Sequence, residues 1–333
     1  MIGLLFASGG VVAADSIQPP TVPAAFHVIE FVSGLTNPTA LALGPDGRLY
    51  IAELDGNILA TDGDGAAVAT IATGFDNPLG LAWYKNQLYV SSLGEISVMT
   101  PNSTYTVFST PTTIVKGIPV GMHQNDEIVF NGGWLYMSVG STCNACKETD
   151  PRSATIMRFK PNGADPQIYA TGLRNSFGLA VRPATGKLYA TDNGRNDHGD
   201  TIPDELNLIV QHGSYGWPDC WGIKGGSHCK GTISPVTDFP PHCSADGFSF
   251  YTGTTFPSSY DGDAFVAEYG NEHDSLPTGH IVQDVHFAAK KTTLTTFATG
   301  FENPVATLIG PDGSLVIADF GDGVIWRIQA NGH

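Results

Sequence analysis

A motif recurs along the chain. Gly34-Leu-Thr-Asn-Pro-Thr-Ala-Leu-Ala-Leu-Gly-Pro-Asp-Gly-Arg-Leu-Tyr-Ile-Ala-Glu53 returns from Gly74 (Gly-Phe-Asp-Asn-Pro), from Gly172 (Gly-Leu-Arg-Asn-Ser) and from Gly300 (Gly-Phe-Glu-Asn-Pro). Weaker copies run from Gly121 to Ser138 and from Ala245 to Ala267. In each copy two short apolar strands flank a Pro-Asp-Gly or Asn-Gly-Gly type turn, which is hairpin chemistry. Six units starting near 34, 74, 119, 172, 243 and 300 leave room for a four-stranded blade each. The expected fold is therefore all-β, a six-bladed β-propeller, with an open β-solenoid as the competing architecture.

The spacing places the first strand after each Asn-Pro motif nearest the axis. Phe26–Val32, which precedes the first repeat, is expected to complete blade six and so remove the free sheet edges that invite aggregation. Val324–Ile328 reads as an inner strand of that last blade. Residues 26–333 then form one domain, behind a linker at 15–25 and an apolar Met1–Ala14 run that reads as an export signal or its remnant. That run is too short to span a membrane.

Composition agrees. Gly 40 and Pro 22 make up about a fifth of the 333 residues, as many tight turns require. Sixteen Lys and Arg stand against 32 acids, a net charge of -16. That balance excludes nucleic acid and anionic lipid as partners, because both need clustered bases. In an exported, extracytoplasmic chain the close pairs Cys143/Cys146 and Cys220/Cys229 are expected as disulfides, leaving Cys243; a zinc site is the alternative for Cys143-Asn-Ala-Cys146.

The channel-mouth positions hold Asn37, Asn77, His123, Arg174 with Asn175, His242 and Asn303. His123 stands where neighbouring repeats carry Asn or Arg, and imidazole is the commonest general base. The plainer reading is a loop histidine bonded to backbone. Arg174 could fork onto a carboxylate or quinone oxygen, or form an inter-blade salt bridge. A long insertion, placed between blades four and five, carries Asp192–Asp200, Pro203–Asn207 and Gly213–Cys220. Its oxygen density suits calcium, or else a solvated acidic loop.

Gly121-Met-His-Gln-Asn-Asp126, Ser138-Val-Gly-Ser-Thr-Cys143, Ala170–Leu179, Asp204-Glu-Leu-Asn207 and Tyr215-Gly-Trp-Pro218 together resemble the soluble quinoprotein glucose/sorbosone dehydrogenases and aldose sugar dehydrogenases. The similarity covers roughly residues 26–330. It implies pyrroloquinoline quinone (PQQ) with Ca2+, a sugar substrate and an external electron acceptor. His123 matches the family's base, and Arg174 and Asn175 its cofactor-binding pair. Glu205 and Tyr215 match its calcium ligands. His242, Asn77 and Asn303 are further cofactor-side candidates. The chain departs from the family in lacking Lys or Arg around Gly270–Asp274, Gly279–Val282 and Glu302–Pro304, where His242, His273 and His280 could substitute. A calcium-dependent lactonase and a non-catalytic binding propeller are the competing functions.

Overall fold

The computed structural model describes residues 17–199, 201–223, 225–226, 229–271, 278–288 and 291–332. The export segment Met1–Ala14 and His273 lie outside them. Six antiparallel sheets follow one another along the chain. Blade 1 comprises Pro38–Leu43, Leu49–Glu53, Ile58–Thr61 and Val68–Ala72, and blade 2 Gly80–Tyr84, Gln87–Ser92, Glu95–Met99 and Thr112–Lys116. Blade 3 comprises Asn125–Asn131, Trp134–Val139, Thr155–Phe159 and Gln167–Thr171, and blade 4 Leu179–Arg182, Lys187–Asp192, Glu205–Ile209 and Thr237–Asp238. Blade 5 is Ala245–Phe250, Ala264–Glu268, Ile281–Phe287 and Thr292–Thr299. Blade 6 is Pro304–Ile309, Leu315–Asp319 and Val324–Ala330, closed by Phe26–Val32.

The closure is an antiparallel ladder from Phe26 opposite Ala330 to Val32 opposite Ile325. Two expectations change here. Val324–Ala330 is the third strand from the axis, because the Asn-Pro strand Pro304–Ile309 takes the axial place and each hairpin steps outward. The long insertion lies within blade 4, on either side of Glu205–Ile209. Part of it, Gly213–Ser214, pairs in parallel with Ala170–Thr171 of blade 3.

Both faces of each blade are covered, so the second strands read as continuous apolar runs, all five residues of Leu49–Glu53 being buried. The core divides into apolar clusters that each join neighbouring blades. Ala52 and Ile58 of blade 1 pack with Leu88 and Val90 of blade 2. The ring closes where Val305, Val316 and Ile325 of blade 6 meet Leu41, Ile51 and Leu59 of blade 1. Burial of this kind is worth roughly 25 cal/mol per Å² of apolar surface, so these inter-blade contacts add to the closing ladder in holding the ring.

Local backbone chemistry aims the strand ends. Asn37 and Asn77 sit at φ 49° and 42°, a left-handed conformation that Asn tolerates better than most side chains. Inner strands of blades 1, 3, 5 and 6 shift register at their first residues, as at Asn125/Ile128 and Ala245/Phe248. Such bulges turn the chain before the ladder begins, and they present the preceding loops to the channel mouth.

Among the described residues the only helical element is the 3-10 turn Ser258–Tyr260. No helix among them is long and apolar enough to cross a membrane. Cys143–Cys146 and Cys220–Cys229 form disulfides, and Cys243 is free and buried.

Candidate active site

The loops that precede the inner strands of blades 3, 4 and 5 converge on a cavity of about 600 Å³. His123, Arg174, Asn175 and His242 line it, together with Asp204, Ser244 and Tyr269. Asn77 and Asn303 are not among its lining residues. Asn77 instead gives its carbonyl to Gln124 Nε2 at 2.9 Å, and Asn303 Nδ2 donates to the Tyr269 carbonyl at 3.3 Å.

His123 is held in one tautomer. Its Nδ1 lies 3.0 Å from Ser141 Oγ and 3.2 Å from the Ser141 carbonyl. Ser141 Oγ already donates its hydrogen to the Cys143 carbonyl at 2.7 Å, so Nδ1 carries the proton and donates it. Nε2 is left with a lone pair. Burial, followed by the nearby Arg174 charge, lowers the imidazole pKa to about 4. The ring is therefore neutral through the physiological range.

The Arg174–Asn175 loop is braced by Asp192 at the end of the second strand of blade 4. Its carboxylate accepts from the main-chain N–H of Arg174 (3.0 Å) and Asn175 (2.8 Å). Asp319 does the same for Glu302 and Asn303 in blade 6, at 3.0 and 2.7 Å. The Arg174 side chain is 3% exposed. Its Nε donates to the Asn144 carbonyl (3.2 Å), Nη2 to Asn144 Oδ1 (3.0 Å) and Nη1 to the Asn193 carbonyl (3.2 Å). A buried cation fixed this way presents a preset positive charge to a ligand.

On the blade 5 side, His242 Nε2 lies 3.0 Å from the Gly199 carbonyl. His242, Ser244 and nearby His280 all have positive φ, at 60°, 51° and 57°. Strained backbone of this kind is held only where the surroundings over-determine it, and it gathers at functional sites. Asp204 ties blades 4 and 5 together, accepting from Gly194 N at 2.7 Å and Ala245 N at 3.3 Å.

Beside the main cavity lies a space of about 20 Å³ lined by both Glu205 and Tyr215, with Asp192 and Arg174. Glu205 Oε2 accepts from Asn207 at 2.9 Å and Oε1 from Gly222 N. Burial and then the neighbouring Asp192 push its pKa up to about 8. The Tyr215 hydroxyl donates to the Leu208 carbonyl at 2.5 Å and accepts from Val210 N at 3.0 Å. A second cavity, of about 240 Å³, lies against His123 and Asn175 from the blade 2 side.

Ser141, Asn193 and Asp204 fell inside the motifs and acidic stretches singled out in the sequence but carried no role of their own there, and Asn144 stood only in the Cys143-Asn-Ala-Cys146 run. Asp192 carried a partial signal, since it occupies the same repeat position as Glu53 and Asp319. Asn144 carried none beyond its place between two cysteines.

A family model described as glucose/sorbosone dehydrogenase matches residues 84–273. The chain is 26% identical over 174 residues to aldose sugar dehydrogenase YliI of Escherichia coli strain K12, covering 44% of this chain and 46% of that protein. It is 26% identical over 259 residues to quinoprotein glucose dehydrogenase B of Acinetobacter calcoaceticus, covering 59% and 53%. These matches span about half the length of each relative. Among solved structures, the holo form of the PQQ domain of pyranose dehydrogenase from Coprinopsis cinerea is similar with a TM-score of 0.79 at 17% identity, covering 93% of this chain and 97% of that one. At that identity the likeness is one of fold.

Proposed function

The chain belongs to the glucose/sorbosone dehydrogenase family, and from that premise we propose that it is a PQQ- and calcium-dependent oxidoreductase acting on an aldose or related alcohol. One observation carries the reading. A neutral imidazole with a free Nε2 stands on the wall of a large polar cavity that also presents a fixed guanidinium.

The residues fit the cofactor in size and donor chemistry. The cavity of about 600 Å³ lies within the usual range for small-molecule sites. Asn175, Asn193, Ser244 and Arg174 place amide, hydroxyl and guanidinium groups along its wall, the kind of polar groups by which a small-molecule site fixes its ligand. Arg174, Asn175 and His242 would hold PQQ, whose quinone accepts hydride when bound. Arg174 is the only guanidinium or ammonium among the described lining residues. The cofactor's carboxylates would therefore rest more on histidine and main-chain donors than on charge.

His123 takes the substrate hydroxyl proton at Nε2, while Ser141 holds the opposite ring nitrogen and fixes the ring plane. Glu205, with an oxygen of Tyr215, would hold calcium at the small cavity that both residues line, where a cation would stabilise the ionised form of a buried carboxylate.

Titration of PQQ into calcium-loaded protein, followed by dye reduction with a panel of aldoses and alcohols, tests the proposal. Saturable binding, with turnover lowered by at least about 10² in His123→Ala, is the expected result. Absence of binding at tens of micromolar PQQ would overturn it and direct attention to metal-only lactone hydrolysis.

A further inference from the structure

The second cavity differs in character from the first. Leu79, Leu93, Val120, Met122 and Phe177 form its walls. Val120 is 42% exposed and Met122 56%. Apolar side chains grouped at the rim of an otherwise polar mouth mark a binding surface more often than chance exposure does.

The backbone that carries them is fixed. A Cβ on Gly121 would stand 2.4 Å from Thr142 Cα, and Met122 N donates to the Thr142 carbonyl at 3.0 Å. Thr142 is itself held by Glu148 through its N–H (2.7 Å) and hydroxyl (2.6 Å). Val120 and Met122 are thus presented outward by a rigid rim.

Besides the shared His123 and Asn175, the polar side chains lining this lobe are Gln124 and Asp126, and Asp126 is 2% exposed with its Oδ2 closed off from solvent. Gln124 Nε2 already donates to the carbonyls of Asn77 (2.9 Å) and Asn125 (3.3 Å). That leaves the Gln124 amide oxygen as the main acceptor against five apolar side chains, so several hydroxyls carried into this lobe would give up more water contacts than they regain, whereas methyl and methylene groups would gain by leaving water.

Both lobes share His123 and Asn175. A substrate hydroxyl at His123 Nε2 stands at their junction, and with the larger lobe given to the cofactor, the rest of the substrate extends into the smaller one. We propose that this second lobe is a subsite for an apolar substituent, so that the preferred substrate is an aldose or polyol whose distal part carries methyl or longer alkyl groups in place of hydroxyls. The inference rests on the dehydrogenase reading of the main cavity.

The test compares matched pairs, a hexose with its 6-deoxy partner and a diol with its alkyl-extended homologue, oxidised by protein loaded with PQQ and calcium. The apolar partner is expected to have a kcat/KM about tenfold higher per added methyl or methylene, expressed in KM. Val120→Ser combined with Leu93→Gln should bring the ratio to near one, chiefly by lowering kcat/KM for the apolar partner; Val120→Ser alone, at an exposed position, serves if the double variant fails to fold. Equal kcat/KM within the pairs, or a preference that survives both variants, overturns the subsite. If no substrate is oxidised, the dehydrogenase reading has failed instead. Equilibrium binding of the same pairs to the unloaded protein then decides the lobe, a preference for the apolar partner supporting it and equal affinity refuting it.

Discussion

Both oxygens of Asn144 accept hydrogen bonds from the guanidinium of Arg174, the carbonyl from Nε at 3.2 Å and Oδ1 from Nη2 at 3.0 Å. Asn144 sits inside the loop closed by the Cys143–Cys146 disulfide. It also accepts from Trp217 Nε1 at 3.1 Å and Asn196 N at 2.9 Å. The cation in the main cavity is thus aimed by a loop that is stapled shut.

Loosening that loop should weaken cofactor binding without touching the cofactor site itself. Asn144→Ala, and separately the Cys143→Ser/Cys146→Ser pair, are expected to raise the PQQ Kd by about tenfold, close to the loss of one charged hydrogen bond of roughly 1.5 kcal/mol. Fluorescence titration reads this directly. An unchanged Kd in both variants would remove Asn144 from the positioning role.

The acid limb of the rate profile should lie low. An imidazole with its pKa lowered to about 4 stays deprotonated well below the ordinary histidine value near 6.5, so kcat/KM is expected to hold to about pH 5 and fall toward pH 4. His123→Ala should lower kcat by about 10² to 10⁴ with the PQQ Kd little changed. An acid limb centred near 6.5 would mean that the ring is solvated during catalysis.

Calcium removal should loosen blade 4. Chelation is expected to lower Tm and to abolish tight PQQ binding, both restored by added calcium, since anything that binds the native state alone stabilises it. Glu205→Gln removes the buried carboxylate from the small cavity and should raise the calcium concentration needed for restoration at least tenfold. Chelator-insensitive Tm and binding would eliminate the cation from this site.

Glu268 at the end of the second strand of blade 5 is fully buried beside the Cys243 thiol, and among the described residues neither carboxylate oxygen has a partner within hydrogen-bond geometry. Burial, then the Asp204 charge, push its pKa up to about 8. Because the folded pKa lies above the unfolded one near 4.3, its favourable contribution is complete below about pH 4 and is lost as pH rises toward 8. Glu268→Gln should therefore flatten the fall of Tm between pH 5 and 8.5 and raise Tm by several degrees at the alkaline end. A parallel downward shift at every pH would contradict this.

Much of the fold was legible along the chain because its signals are local. The Pro-Asp-Gly turns, with Gly47 at φ 80°, and the apolar pairs beside them repeat often enough to reveal six units. His123 and Arg174 could be singled out because each occupies a repeat position where its neighbours carry something else. The radial place of Val324–Ala330 was misread because a hairpin pattern records which strands are adjacent and says nothing of which lies nearest the axis. The blade 4 insertion was assigned to an inter-blade loop because Glu205–Ile209 is a short strand between two long irregular stretches. Asn144 escaped notice because its partner lies thirty residues away, with no periodic pattern linking them.

Strand identity, turn chemistry, the number of blades and the residue types at each channel-mouth position were determined by the sequence itself, because backbone preference and apolar alternation depend on near neighbours. The tertiary structure alone decided that Ser141 fixes the His123 tautomer, that Asn144 aims Arg174, that Asp204 joins blades 4 and 5, and that an apolar lobe adjoins the polar one. Those relations arise when the contacts of Val305 and Ile325 with Leu41 and Ile51 close the ring, bringing to one mouth loops that the chain separates by scores of residues.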